Sequence, residues 1–166
     1  MIAAKDLEKG TRLERKSDRE IVISRSFRAP ARIVFDAWTR PEYLKRWWAP
    51  VSRGVVLQEC EVDLREGGAY RYVIARNGET VAAFYGTYLE IERPRRLVYT
   101  SIFAPFPDAV VNVTVTFAES AGITQLVANE LYPSPEALEG AFAAGMEAGM
   151  RETMELLDQL VLALES

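Results

Sequence analysis

Residues Ser134 to Leu164 read SPEALEGAFAAGMEAGMRETMELLDQLVLAL. Ser134 can accept a hydrogen bond from the first turn of a helix, Pro135 suits the first helical position, and Glu136 places negative charge at the positive end. Leu138, Phe142, Met146, Met150, Leu157, Leu160 and Leu164 recur at helical spacing. The stretch therefore predicts one long helix with an apolar stripe able to cover one face of a sheet. Its first half is small-sided: Gly140, Ala141, Ala143, Ala144, Gly145, Ala148 and Gly149. Close packing of the backbone on a strand would explain that. So would a hollow between helix and sheet, kept for a small molecule.

The rest of the sequence supplies the sheet. Glu20 to Phe27 alternates in the manner of a strand. Pro30 to Trp38 and Pro41 to Trp48 read as two short helices, separated by Thr39-Arg40-Pro41 and stopped by Pro50. Strands are then predicted at Val55 to Asp63, Ala69 to Arg76, Thr80 to Glu92, Arg96 to Phe103, Val110 to Phe117 and Ile123 to Tyr132. Asn77-Gly78 is a two-residue hairpin signal. Short connections make neighbours antiparallel. The order is strand, two short helices, six strands and a long helix. A curved antiparallel sheet of about seven strands, closing on that helix, is the economical α+β architecture. Residues 1–19 are rich in charge, and they read as a flexible arm with a short helix over Ala3 to Lys9. Residues 20–166 read as a single domain.

Composition narrows the function. The chain has 166 residues, nearly half of them hydrophobic, which suits one domain with a real core. Its net charge of −4 gives no bulk attraction to nucleic acid. There is no histidine, so a Ser-His triad cannot be built and the commonest metal ligand is missing. Cys60 is the one cysteine, which rules out an internal disulfide and a cysteine-based zinc site. No metal or other cofactor is expected. No apolar run is long enough to span a bilayer, and the N-terminus lacks the apolar core of a secretory signal. A cytoplasmic protein is expected, with a homodimer as one assembly it could adopt.

Several motifs, in order, resemble one family. Ala29-Pro30, Val34-Phe35-Asp36-Ala37-Trp38, Pro41-Glu42 and Trp47-Trp48-Ala49-Pro50 look like the opening of the START-like (SRPBCC, birch-allergen-like) superfamily. Asp63-Leu64-Arg65-Glu66-Gly67-Gly68, the strand through Gly86 to Glu90-Ile91, and Pro94-Arg95-Arg96-Leu97-Val98-Tyr99 are similar to its branch named after the activator of the heat shock protein 90 ATPase. The resemblance spans about Glu20 to Leu164. It implies a helix-grip fold: a seven-stranded antiparallel sheet around the C-terminal helix, with a cavity between them. Three positions depart from the branch. Glu66 stands for a usual proline, Met150 for a frequent aromatic, and Glu130 for a frequent histidine.

The candidate ligand-binding residues are Trp47, Trp48, Glu61, Tyr70, Tyr72, Phe84, Tyr99, Phe103, Glu130, Phe142, Met146 and Met150. Each aromatic either fills a core or lines an apolar pocket, with a hydroxyl or an indole N–H to orient a guest. Spacing alone does not decide which, because one bulge reverses the parity of a strand. Glu130 shares a face with Leu126 and Ala128. If that face is inward, its carboxyl needs a raised pKa or a cationic partner. The leading function is binding of a small hydrophobic or aromatic molecule, without catalysis. An alternative is a cyclase-, hydratase- or hydrolase-like enzyme using Glu130, Glu61 or the tyrosines in the same pocket. A further one, implied by the resemblance alone, is stimulation of a chaperone ATPase.

Overall fold

The computed structural model describes residues 10–165. Eight strands form one antiparallel sheet: β1 (Arg12–Arg15), β2 (Glu20–Phe27), β3 (Val56–Val62), β4 (Ala69–Arg76), β5 (Glu79–Glu92), β6 (Arg96–Phe103), β7 (Val111–Ser120) and β8 (Ile123–Leu131). They lie in the order β1-β2-β8-β7-β6-β5-β4-β3. Helices α1 (Ala31–Thr39) and α2 (Pro41–Trp47) follow β2, and a 3-10 turn (Val51–Arg53) leads into β3. Helices α3 (Pro135–Ala143) and α4 (Met146–Glu165) close the chain. The expected curved sheet and C-terminal helix are both present.

Two expectations need correction. The sheet has an eighth strand, because Arg12–Arg15 of the expected flexible arm pairs with β2, Arg15 opposite Ile21. Leu13 packs its side chain against the core, and Arg15 reaches α3, bonding Glu139 and covering the Phe142 ring at 4.2 Å. The predicted helix over Ala3 to Lys9 lies outside the described residues.

The second correction concerns the long helix, which is two helices. Ser134 Oγ accepts from the Ala137 N–H at 3.1 Å and starts α3 as expected. Gly145 then takes φ +86°, a left-handed conformation that ends a helix and that glycine adopts without steric cost. Of the small residues at the joint, Ala141 packs against the core. Gly140, Ala143, Ala144 and Ala148 face solvent. Gly145 and Gly149 instead receive a guanidinium: Arg53 Nη2 donates to the Gly145 carbonyl at 2.8 Å. A Cβ built on either glycine would lie 3.3 Å from that nitrogen. Beside it, the Ser52 N–H and hydroxyl both donate to the Glu152 carboxylate, which lowers its pKa. The 3-10 turn thus staples the helix joint.

The core lies where α4 meets the sheet and α1. Met154, Leu157, Leu160 and Val161 of α4 are buried with Phe27, Leu97, Val115, Phe117, Leu126 and Ala128, and with Val34, Phe35 and Trp38 of α1. Arg25 projects from the same sheet face into this region and is held by Glu155 at 2.8 Å and Asp158 at 3.4 Å. At the far end of α1, Arg93 from the β5–β6 turn grips both carboxylate oxygens of Asp36 at 2.7 and 2.9 Å, the bidentate geometry that favours arginine.

Candidate functional site

The inner face of the sheet is sealed at one end and open at the other. Ladder register and strand alternation put Leu97, Tyr99, Ser101 and Phe103 of β6 on that face, with Val111, Val113 and Val115 of β7 and Ala128 and Glu130 of β8. Leu97, Val113, Val115 and Ala128 are buried. Tyr99, Ser101, Val111 and Glu130 are only half-buried, and Phe103 is 36% exposed. Cover therefore fails toward the end of β6 and β8, although these side chains point inward. On the helical side, burial fades in the same way, with Met154 and Leu157 buried but Phe142, Met146 and Met150 half-buried at the edge of the core.

A row of aromatic rings runs from the core, where Tyr70 and Tyr72 are buried, out to that open end. Tyr99 meets Tyr70 edge-on at 5.7 Å, Tyr70 meets Tyr72 at 4.8 Å, and Tyr72 meets Trp48 at 4.8 Å. Trp48 meets Phe84 at 5.1 Å, and Phe84 stacks on Phe103 at 5.1 Å. Phe106, in the β6–β7 loop and largely exposed, extends the row at 6.0 Å from Phe103. These spacings are those of favourable ring pairs. The Trp47-Trp48 pair divides its labour. Trp47 is buried, tilted against Trp38 with ring centroids 4.9 Å apart, and its indole N–H donates to the Ala37 carbonyl at 2.8 Å. Trp48 ends α2 half-buried on the aromatic row.

Gly86 makes room for the centre of the row. It pairs with Tyr70 across β4 and β5, and a Cβ there would fall 1.9 Å from the Thr100 carbonyl oxygen and 2.8 Å from the Tyr70 ring. Between the Tyr85–Ile102 and Tyr88–Tyr99 pairs, side chains stand in for the β5–β6 ladder. The Thr87 N–H donates to Thr100 Oγ1 at 3.0 Å, and the Tyr70 hydroxyl donates to the Thr100 carbonyl at 2.6 Å.

Glu130 is the carboxyl of this end. Its partner is the Tyr132 hydroxyl, which donates to Oε1 at 2.9 Å. Burial raises its pKa, and the Tyr132 bond offsets that in part. Burial likewise raises the phenol pKa values of Tyr70, Tyr72, Tyr99 and Tyr132, so these hydroxyls stay neutral. The negative charge of Glu130 contributes to the shifts of Tyr70 and Tyr99, which places it near both. Trp38 donates its indole N–H to the Tyr99 oxygen at 3.3 Å.

Glu61 does not belong here. A bulge between Leu57 and Glu59 shifts the register of β3, so Leu57, Cys60 and Val62 face inward opposite Ile74, Tyr72 and Tyr70, and Glu61 faces out. It lies near Arg71 at 3.9 Å and helps to line a groove of about 470 Å³ on the opposite sheet face, with Arg71, Tyr85, Thr87 and Ile102. Burial pushes the Cys60 thiol up to about 11, which leaves it a poor nucleophile. Among the described residues, no cluster of His, Cys, Asp or Glu could hold a metal ion, and no helix is long and apolar enough to cross a membrane.

Sequence reasoning left Trp38, Ser101 and Tyr132 out of the site. Tyr132 stands two residues after Glu130, so strand alternation was a usable signal for that pair. Nothing in the spacing links Trp38 to Tyr99.

An antiparallel sheet gripping a C-terminal helix, with two short helices inserted after the first long strand, defines the START-like helix-grip class. The chain belongs to the Activator of Hsp90 ATPase homolog 1-like protein family, which it matches over residues 28–162. Its fold is similar to that of a Rhodobacter sphaeroides protein, 25% identical, with a TM-score of 0.83 over 92% of this chain and 99% of that one. Protein Ms6760 from Mycobacterium smegmatis is 25% identical, with a TM-score of 0.78 over 90% and 95%. CalU16 from Micromonospora echinospora is 25% identical, with a TM-score of 0.60 over 92% and 80%. A search of the curated proteins finds no significant match.

Proposed function

We propose that this protein binds a small apolar or aromatic molecule against the open end of the inner sheet face, as one cytoplasmic START-like domain that includes β1 as well as residues 20–166. One observation carries the reading: Tyr99, Ser101, Phe103 and Glu130 point into the grip yet remain accessible, while their neighbours along the same strands are sealed. A side chain on the covered face of a sheet is normally buried outright. Apolar rings with a few convergent polar groups are the usual lining of a ligand site. Trp48, Phe84 and Phe103 form its mouth, and Phe142, Met146 and Met150 form its helical rim.

The test is thermal unfolding with a panel of naphthalene- and phenyl-based probes. A ligand at about 100 times its Kd adds about 2.7 kcal/mol, and at roughly 2–4 °C per kcal/mol for this size it raises Tm by about 5–10 °C. Trp48 emission should change in parallel. A panel that moves neither Tm nor emission removes the reading.

A second reading draws on Glu130. A carboxyl whose pKa is raised by burial can act as a general acid in a cyclase- or hydratase-like reaction. Turnover of a bound probe that is lost in Glu130→Gln would support catalysis. The family name supports a third role, stimulation of a chaperone ATPase, and a chaperone ATPase assay with added protein tests it.

A further inference from the structure

We infer that the guest is a cationic amine on an aromatic or apolar body, its ammonium paired with Glu130 and its body laid against the tyrosine and tryptophan row. This rests on the ligand-binding reading above and specifies the chemistry of the ligand.

Charge placement on the inner face supports it. Arg25, on the same face, is spent at the sealed end on Glu155 and Asp158. Arg15, at the β1 edge, is spent on Glu139 and the Phe142 ring. Glu130 makes no ion pair among the described residues, and its one hydrogen bond occupies Oε1. Oε2 has no protein partner there, and Arg25 Nε is the one buried side-chain polar atom left without one. Oε2 is thus open to whatever enters. The open end therefore presents a carboxyl oxygen with no cationic side chain paired to it among the described residues.

Its surroundings favour a cation over other polar guests. The Tyr70 hydroxyl is committed to the Thr100 carbonyl. Tyr99 already accepts from Trp38. Of the rings in the row, Tyr99 and Trp48 are the partly exposed ones beside buried Tyr70 and Tyr72, and the electron-rich face of such a ring attracts an ammonium group, whereas its edge does not. A guest carrying a carboxylate would meet Glu130 with like charge. A neutral alcohol could bond Oε2 but would leave its charge unpaired in a half-buried site. Pairing with an ammonium holds Glu130 in its ionised form.

The experiment titrates three probes by calorimetry into the full chain and into Glu130→Gln: 2-naphthylethylamine, 2-naphthylethanol and 2-naphthylacetate. The amine is expected to bind about tenfold or more tightly than the alcohol, with the acetate weakest. In Glu130→Gln the amine should fall to about the affinity of the alcohol, whose own binding should hardly change. An amine that binds wild type no better than the alcohol overturns the charge assignment and leaves the apolar site standing. A preference that survives in Glu130→Gln, checked as folded by circular dichroism, overturns the role of Glu130. Binding by none of the probes overturns the ligand reading and this inference together. The wild-type series stands by itself should the variant fail to fold.

Discussion

Gly86→Ala is the sharpest test of how the aromatic wall is held. The new methyl would sit 1.9 Å from the Thr100 carbonyl oxygen, 2.8 Å from its carbon and 2.8 Å from the Tyr70 ring. An ordinary contact needs about 3.4 Å or more, so β5 and β6 must part by over an ångström or the ring must leave. Neither neighbour is a flexible side-chain tip that could yield cheaply. Overpacking of this kind costs about 1–3 kcal/mol, with the upper end expected where backbone is struck. Losing the Tyr70 hydroxyl bond to Thr100 adds about 1 kcal/mol. Against this, replacing a strand glycine restrains the unfolded chain and returns about 0.5–1 kcal/mol. The clash wins, for a net loss of about 3 kcal/mol, or roughly 6–12 °C in Tm. Urea unfolding followed by tryptophan emission and far-ultraviolet circular dichroism measures it. A Gly86→Ala protein within about 0.5 kcal/mol of wild type, the usual range for a surface change, would refute the close approach of Thr100.

The helix joint offers a matched pair. Gly140 is exposed inside α3, and an added methyl there would meet nothing within 4 Å, so Gly140→Ala should add about 1 kcal/mol of stability. Gly145→Ala should instead lose about 1–2 kcal/mol, because φ is +86°, and chemical denaturation separates the two. In the β7–β8 turn, Ala121 adopts φ 54° before Gly122. Ala121→Asn matches the preferred Asn-Gly pair and should stabilise by about 0.5–1 kcal/mol in the same assay. The pH dependence of Glu130 has a definite sign. Its folded pKa lies above the ordinary 4.5 because of burial. Below that value both states are protonated and it contributes nothing. As pH climbs past 4.5 the unfolded chain ionises first, so stability falls until the folded carboxyl has also ionised. Glu130→Gln should remove that fall and be the more stable protein at about pH 8, measured as Tm against pH.

Much of the fold was legible because alternation and turn chemistry act locally. β2 occupies the residues read for it, and Asn77-Gly78 takes the paired positive φ values, 52° and 83°, that its sequence demands. What escaped depends on partners far along the chain. Arg12–Arg15 has no apolar alternation to speak of, and it becomes a strand because β2 offers an edge. The break at Gly145 follows from one residue's backbone and from Arg53, 92 residues away. Glu61 was misplaced by a single bulge at Leu57–Glu59, which no pattern in β3 announces. The site divides the same way. The rings were visible as residue types, but the mutual contacts of Tyr70, Tyr72, Trp48 and Phe84 come from three separate segments. Glu130 shared a legible face with Leu126 and Ala128, whereas its accessibility depends on where α3 and α4 end their cover.

The interrupted ladder between β5 and β6 has an evolutionary corollary. Backbone pairing is nearly blind to residue identity, so a sheet joined by it keeps its shape as sequences drift. At Tyr70, Gly86 and Thr100 the joint is written in side chains. The contour of the wall is therefore a mutable trait: a few codon changes there can reshape this stretch of the sheet while the scaffold around it stays the same.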